Sequence, residues 1–393
     1  MIDRPLFAGV MMLLTLSLVM SYSLSTYAVV HFHYEDFHFF IRQGMAILLG
    51  FFAMLILSKM DPDIWFVRVG LFLFVVFFSL LIVMQFLPSS LVSEIGGAKR
   101  WIRLGSLSTS PVEFFKVGFI FFLSWSFARK FINKKKMGFW EELKAFSPYI
   151  LVFLVAVILI AVFQKDLGQV IVLGGTLMVL FVFIGSSLKF FLLLLSGIFA
   201  SFVGLIFFAP HRMARLKSWW GGIQDNILSI LPFDSLQRLR LDTAGEPYQI
   251  SNSLNAIYHG GFFGTGLGNG QFKLGYLSEV HTDFILAGIS EELGFLGLCL
   301  VTMTILFIIF RIFKIASRVK NVTYYLFSIA VGLLISFSFI LNAYGISGIT
   351  PIKGIAVPFL SYGGSHILAS CIAIGMVLMV SKQVNRDDKG RIK

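Results

Sequence analysis

An all-α polytopic membrane protein with about ten transmembrane helices is the fold class this sequence predicts. Three observations predict it. The 393 residues are 57% hydrophobic and only 13% charged, about half the charged share of a soluble domain, so they cannot cover a water-facing surface. The apolar residues fall in continuous runs, and a spanning helix takes roughly 20 of them. Those runs do not alternate, which argues against an outer-membrane barrel. Phe (45 residues) and Gly (36) are heavily used, and glycine is commoner in membrane helices than in soluble ones. Cys299 and Cys371 both fall inside expected spans, so neither a disulfide framework nor a thiol metal site is expected.

The spans are expected at 6–30, 39–58, 67–87, 111–128, 147–163, 167–186, 188–209, 281–312, 322–345 and 364–381. The first is too long for a signal-peptide core and lacks a small-residue cleavage site, so it reads as a retained helix. Lys165, Asp166 and Lys189 are the breaks that separate the fifth, sixth and seventh. One integral domain, 1–393, is expected, with a large extracytoplasmic loop at about 210–280 between spans seven and eight. Its aromatic content, including Trp219, Trp220, Tyr248, Phe262, Phe263 and Tyr276, argues for short helices at the membrane surface rather than disorder.

Lys and Arg set the orientation. With both termini in the cytoplasm, Lys59, Arg68, the cluster from Arg129 to Lys136, Arg311, Lys314 and the basic C-terminal tail lie inside. The net charge of +12 is therefore mostly a topology signal. It points to a multi-pass inner-membrane protein among membrane lipids, with no nucleic-acid partner. Lys99, Arg100, Arg103, Lys116, Arg212, Arg215 and Lys353 remain outside. Cations kept there against the topology rule suit an anionic head group or a diphosphate.

Four stretches can carry chemistry. Gly96 to Gly105 joins two glycines, Lys99, Arg100, Trp101 and Arg103, which suits a phosphate beside a sugar or lipid face; an interfacial anchor is the plainer reading. Ser110 to Lys116 starts a span with Pro111 and places Glu113 and Lys116 three apart on one face. Charges in a span default to function, although a self-neutralising ion pair would also account for them. Lys273 to Phe284 ends with His281 and Asp283 at the mouth of the eighth span. A carboxylate desolvated there has the raised proton affinity of a general base; the alternative is a helix cap by Thr282 or Asp283. Glu291 and Glu292, two turns deeper, are expected to pair with Lys or Arg. Gly348 to Ser365 holds Pro351, Pro358, Lys353, Ser361 and Tyr362. Such irregular backbone at membrane depth should line a cavity. Gly264 to Gly270 lacks the βαβ setting of a dinucleotide fingerprint and reads as a hinge letting backbone approach a ligand.

These stretches, with Gln164 to Gly168, Tyr248-Gln249 and Gly260 to Gly268, run in order along most of the chain and resemble the SEDS family of shape, elongation, division and sporulation proteins. Tyr248-Gln249, Lys273 to Leu277 and Pro351 to Gly354 are closest to its division branch, FtsW, rather than its elongation branch, RodA. Ser278, Lys165 and His366 depart from the family pattern. The resemblance implies a peptidoglycan glycosyltransferase that polymerises lipid II during cell division. It implies that Asp283 is the essential carboxylate and that Lys116 pairs with it or orients it. Trp101, Arg100 and Arg103 would shape the cavity, with Lys99, Glu113, His281, Lys353, Ser361, Tyr362, Arg212 and Arg215 around the substrate. A divalent cation such as Mg or Mn could share the leaving-group work, although no dedicated metal-ligand cluster stands out. A class B penicillin-binding protein transpeptidase and other divisome proteins are the implied partners. A lipid II flippase, a non-enzymatic divisome scaffold and an elongation role stay open as alternatives.

Overall fold

The computed structural model describes residues 2–88, 90–95, 97–105, 107–131, 138–207, 209–230, 240, 248–351 and 354–390. Apolar runs become helices because the bilayer offers backbone amides no other partner. Helix α1 (Arg4–Leu24) starts at an Asp3 cap with Pro5 behind it and is followed by a short α2 (Thr26–His31). The first span is therefore shorter than 6–30 and breaks at Ser25. Helices α3 (His38–Lys59) and α4 (Pro62–Val83) follow.

The next connection is not a plain loop. β1 (Val92–Ile95), β2 (Ala98–Leu104) and β3 (Leu107–Thr109) form an antiparallel sheet in that order. Alternation decides this: Ile102 is buried while Arg103 is exposed.

Helix α5 (Pro111–Lys130) is followed by α6 (Phe139–Val157), which runs on as a π-helical turn over Ile158–Phe163. Helices α7 (Leu167–Phe183) and α8 (Leu188–Phe207) come next. The expected loop holds α9 (Pro210–Ile230) and α10 (Tyr248–Gly260). α10 packs into the bundle, burying Ile250, Asn252, Ser253 and Ala256. The chain closes with α11 (Ile285–Ala316), α12 (Val322–Ile346) and α13 (Gly364–Gly390).

Among the described residues nine helices are long and apolar enough to cross a membrane, and α7, at 17 residues, is a shorter apolar tenth. The helices sort by burial. α5, α12 and α13 form the centre, with about 70% of their most apolar windows buried inside the protein, whereas α8 has 6% and faces outward.

α11 is broken. Gly294 has φ 70° within it, a conformation costly for any residue with a Cβ. The turn after α10 repairs the break. The amides of Thr265 and Gly266 donate to the carbonyls of Glu291 and Glu292, and the amides of Phe295 and Leu296 donate to Gly261 and Phe262. Two of the close-set glycines at 264–270 approach α11 itself: a Cβ on Gly264 would overlap the Glu292 carbonyl, and one on Gly270 would lie 2.9 Å from Glu291 Oε2.

The two carboxylates at this break are held differently: both oxygens of Glu292 are bonded, whereas Glu291 Oε2 is buried without a partner among the described residues. Glu292 accepts from Lys273 Nζ (2.7 Å) and Ser23 Oγ. Among the described residues Glu291 pairs with no Lys or Arg; its Oε1 accepts from the amides of Gln271 and Phe272 and lies 3.1 Å from His259 Nδ1. Together they pin segment 261–276, which leads into Asp283.

Candidate active site

Asp283 lies two residues before α11 and does not cap it. The cap position is Phe284, and no side chain bonds the first free amides. The backbone here is held by distant elements. Asn342 Nδ2 donates to the Asp283 carbonyl (2.7 Å) and to that of Ile355 (2.7 Å). Ser361 Oγ donates to the Thr282 carbonyl (2.7 Å), and the Tyr362 amide donates to the His281 carbonyl. His281 is buried edge-on to Phe39 and Tyr362. So His281, Ser361 and Tyr362 frame the aspartate from behind.

The Asp283 carboxylate has no hydrogen-bond or ion-pair partner among the described residues. It is half-buried and lines a cavity of about 340 Å³ with Arg215, Trp219, Gln249, Glu279 and Gly354. Glycine at 354 is what leaves room: a Cβ there would sit 2.5 Å from Asp283 Oδ2. Burial, then the negative charges of Glu279 and Asp166, push the Asp283 carboxyl up to about 7, against the pull of Arg100 and Arg215. Asp166, which caps α7 through Gln169 N, is also raised, chiefly by burial.

Lys116 is elsewhere engaged. Its ammonium contacts Glu113 Oε2 (2.9 Å) and donates to Gln169 Oε1 (2.7 Å), and no described contact joins it to Asp283. Gln169 Nε2 donates to Glu113 Oε1 (3.0 Å), and His366 Nδ1 lies 3.0 Å from Glu113 Oε2. The N-termini of α5 and α13 meet here, the Ser110 amide donating to Ser365 Oγ.

The other expected cations are mostly bound to backbone. Lys99 Nζ donates to the Gln85 and Leu87 carbonyls at the end of α4. Arg100 donates to the Gln164 and Lys165 carbonyls, and Arg103 to Ser93 Oγ. Arg212 donates to the carbonyls of Leu205 and Ala161. Trp101 is half-buried in the sheet opposite Ser93. Arg215 is the exposed cation on the cavity wall. Lys353 and the cluster Lys134 to Lys136 lie outside the described residues.

Asp166, Gln169, Glu279 and Asn342 are missed as site residues by sequence reasoning. Asp166 and Gln169 stand beside the Gln164 to Gly168 turn, so that turn was the available signal; Asn342 is an amide in an apolar span, costly unless used. Among the described residues no group of three or more His, Cys, Asp or Glu forms a metal-ligand set, so a divalent cation finds no such set there.

Comparison with known proteins agrees with this architecture. The family model described as cell cycle protein, covering FtsW, RodA and SpoVE, matches residues 4–386. The chain is 52% identical over 381 residues to the probable peptidoglycan glycosyltransferase FtsW of Helicobacter pylori, covering 97% of this chain and 98% of that one. Two solved structures share the fold. One is a chain from a structure titled as the structural coordination of polymerization and crosslinking by a peptidoglycan synthase complex (TM-score 0.68, 21% identity, covering 98% of this chain and 99% of that one). The other is the rod shape determining protein RodA of Thermus thermophilus (TM-score 0.65, 22% identity, 97% of each chain). A match over nearly the whole length, by sequence and by fold, makes this chain a member of the FtsW/RodA/SpoVE family of cell cycle proteins.

Proposed function

We propose that the chain is a peptidoglycan glycosyltransferase of the division branch, polymerising lipid II at the outer face of the cytoplasmic membrane, with both termini inside. The observation that carries this reading is Asp283: a carboxylate without a donor among the described residues, pushed up to about 7, in a cavity of about 340 Å³. A base of that affinity suits removal of a hydroxyl proton near neutral pH.

In the proposed step Asp283 takes the proton of the acceptor sugar hydroxyl. The oxygen forms a bond to the anomeric carbon of the donor, and the bond from that carbon to the diphosphate oxygen breaks. The polyprenyl diphosphate leaves with the electron pair. Glu279 shares the cavity wall, but the proposed step gives it no bond to the anomeric carbon, so the reading is a single displacement with inversion. Charge develops on the leaving diphosphate, and fixed cations stabilise it. Arg215 on the cavity wall serves there, and Lys116, held by Glu113 and Gln169, is the second cation of the reading. Arg100, Trp101, Arg103 and Lys99 keep the walls in shape through the sheet. Arg212 does the same for α9.

A class B penicillin-binding protein transpeptidase is the proposed partner, supported by the synthase-complex chain of the same fold, with other divisome proteins around it. The purified chain, its transpeptidase partner and lipid II should yield glycan strands on a gel, and Asp283→Asn should not. Lipid II translocated across vesicles without polymer would instead favour the flippase. Full growth on Asp283→Ala would favour the scaffold.

A further inference from the structure

We infer that His366 is a positioning residue for the transferase chemistry, acting through Glu113 on Lys116. The inference rests on the glycosyltransferase reading and adds a residue that this reading leaves unused. His366 sits in the first turn of α13 and is buried, 8% exposed. Its Nδ1 lies 3.0 Å from Glu113 Oε2, the oxygen that also contacts Lys116. An ionised carboxylate only accepts, so Nδ1 carries the proton. The other ring nitrogen, Nε2, is buried without a partner among the described residues, so the carboxylate contact is the ring's one polar attachment there. A buried polar atom left bare is costly, and a histidine that served packing alone would be better replaced by an apolar side chain.

The geometry shows what the contact does. Glu113 Oε1 is fixed by Gln169 from α7 and Oε2 by His366 from α13. Its plane is therefore set by two elements other than its own helix. Lys116 then lies between two anchored acceptors, Glu113 Oε2 and Gln169 Oε1. Without His366 the ammonium becomes the sole donor to Oε2. The carboxylate keeps only its Gln169 anchor and can turn about it toward the ammonium, and the pair settles against α5. Lys116 then presents less of its charge to a leaving diphosphate. That loss falls on the transition state, where the charge develops, rather than on substrate binding.

The test is lipid II polymerisation by the full chain with its transpeptidase partner, comparing wild type, His366→Leu, His366→Asn and His366→Gln, each checked by thermal melting. Asn places an amide N–H near the position of Nδ1; Gln places it near Nε2. The expected result is a kcat lower by on the order of tenfold in the Leu and Gln variants with KM within about twofold, below the hundredfold that a misplacement of about 1 Å can cost. The Asn variant is expected to recover most of the turnover. Should the Leu variant not fold, Asn against Gln alone decides. Equal turnover in all folded variants, or a loss confined to KM, overturns the inference. An inactive wild type would overturn the transferase reading instead, which keeps the two failures distinct.

Discussion

Glu113 and Asp283 are two carboxylates at the mouths of spanning helices, and their surroundings are opposite. Glu113, in the first turn of α5, is met by Lys116, Gln169 and His366. Asp283, before the first turn of α11, is met by no donor among the described residues and faces acids, Glu279 and Asp166. The first is held as an anion and gives structure. The second resists ionisation and is open to a cavity. On the proposed reading, a pair of acids driven apart in this way assigns the proton chemistry to Asp283.

The contrast is broken first by removing the charge at each site. Asp283→Asn should lower kcat by about a thousandfold, within the range a general base supplies, yet leave folding intact. The sign follows from its raised affinity. The folded carboxyl sits above its unfolded value, so its contribution to stability falls as pH rises toward and through about 7. At pH 8 the Asn variant should melt at the wild-type temperature or above it. Glu113→Ala should do the reverse in kind, costing about 3–5 kcal/mol of stability because a buried ammonium loses its partner; a melting curve in detergent reads it. An unchanged melt there would mean that Glu113 is not the anchor.

Lys273→Met sharpens the comparison away from the cavity. It strands Glu292, 1% exposed, and should loosen segment 261–276, seen as faster proteolysis in the turn after α10, with a loss of stability again about 3–5 kcal/mol. The smallest effects belong to the neighbours of Asp283. Glu279→Gln removes a charge that raises the carboxyl, so the acid limb of the rate profile moves down. Arg215→Gln removes one that lowers it, so the limb moves up. Movement in the same direction for both would contradict the electrostatic account.

The spans were legible because bilayer thickness imposes a length on an apolar run. That is why α3, α12 and α13 lie where the runs place them, while α7, at 17 residues, is the weakest of the ten. The sheet at 92–109 was not, since three short strands alternate over too few residues to stand out from a loop. The break at Gly294 was hidden by the continuous apolar character of α11, and its repair comes from a turn 30 or so residues upstream in sequence. Asp283 and the Glu113–Lys116 spacing were legible as charges where charge is costly. Their partners were not. Gln169, Asn342 and His366 gain meaning only through contacts spanning 53, 59 and 253 positions, and no local pattern encodes them. Spacing set Lys116 beside Glu113, and its contacts in the fold are Glu113 and Gln169 rather than Asp283.

The pH dependence of kcat/KM for lipid II polymerisation by wild type with its transpeptidase partner tests the central claim most directly. If Asp283 is the base, activity rises with pH through a midpoint near 7, and the residual activity of Asp283→Asn shows no such limb. A wild-type rate already level at pH 5 would mean that the acting carboxylate ionises in its ordinary range, and Asp283 would then not be the group that takes the proton.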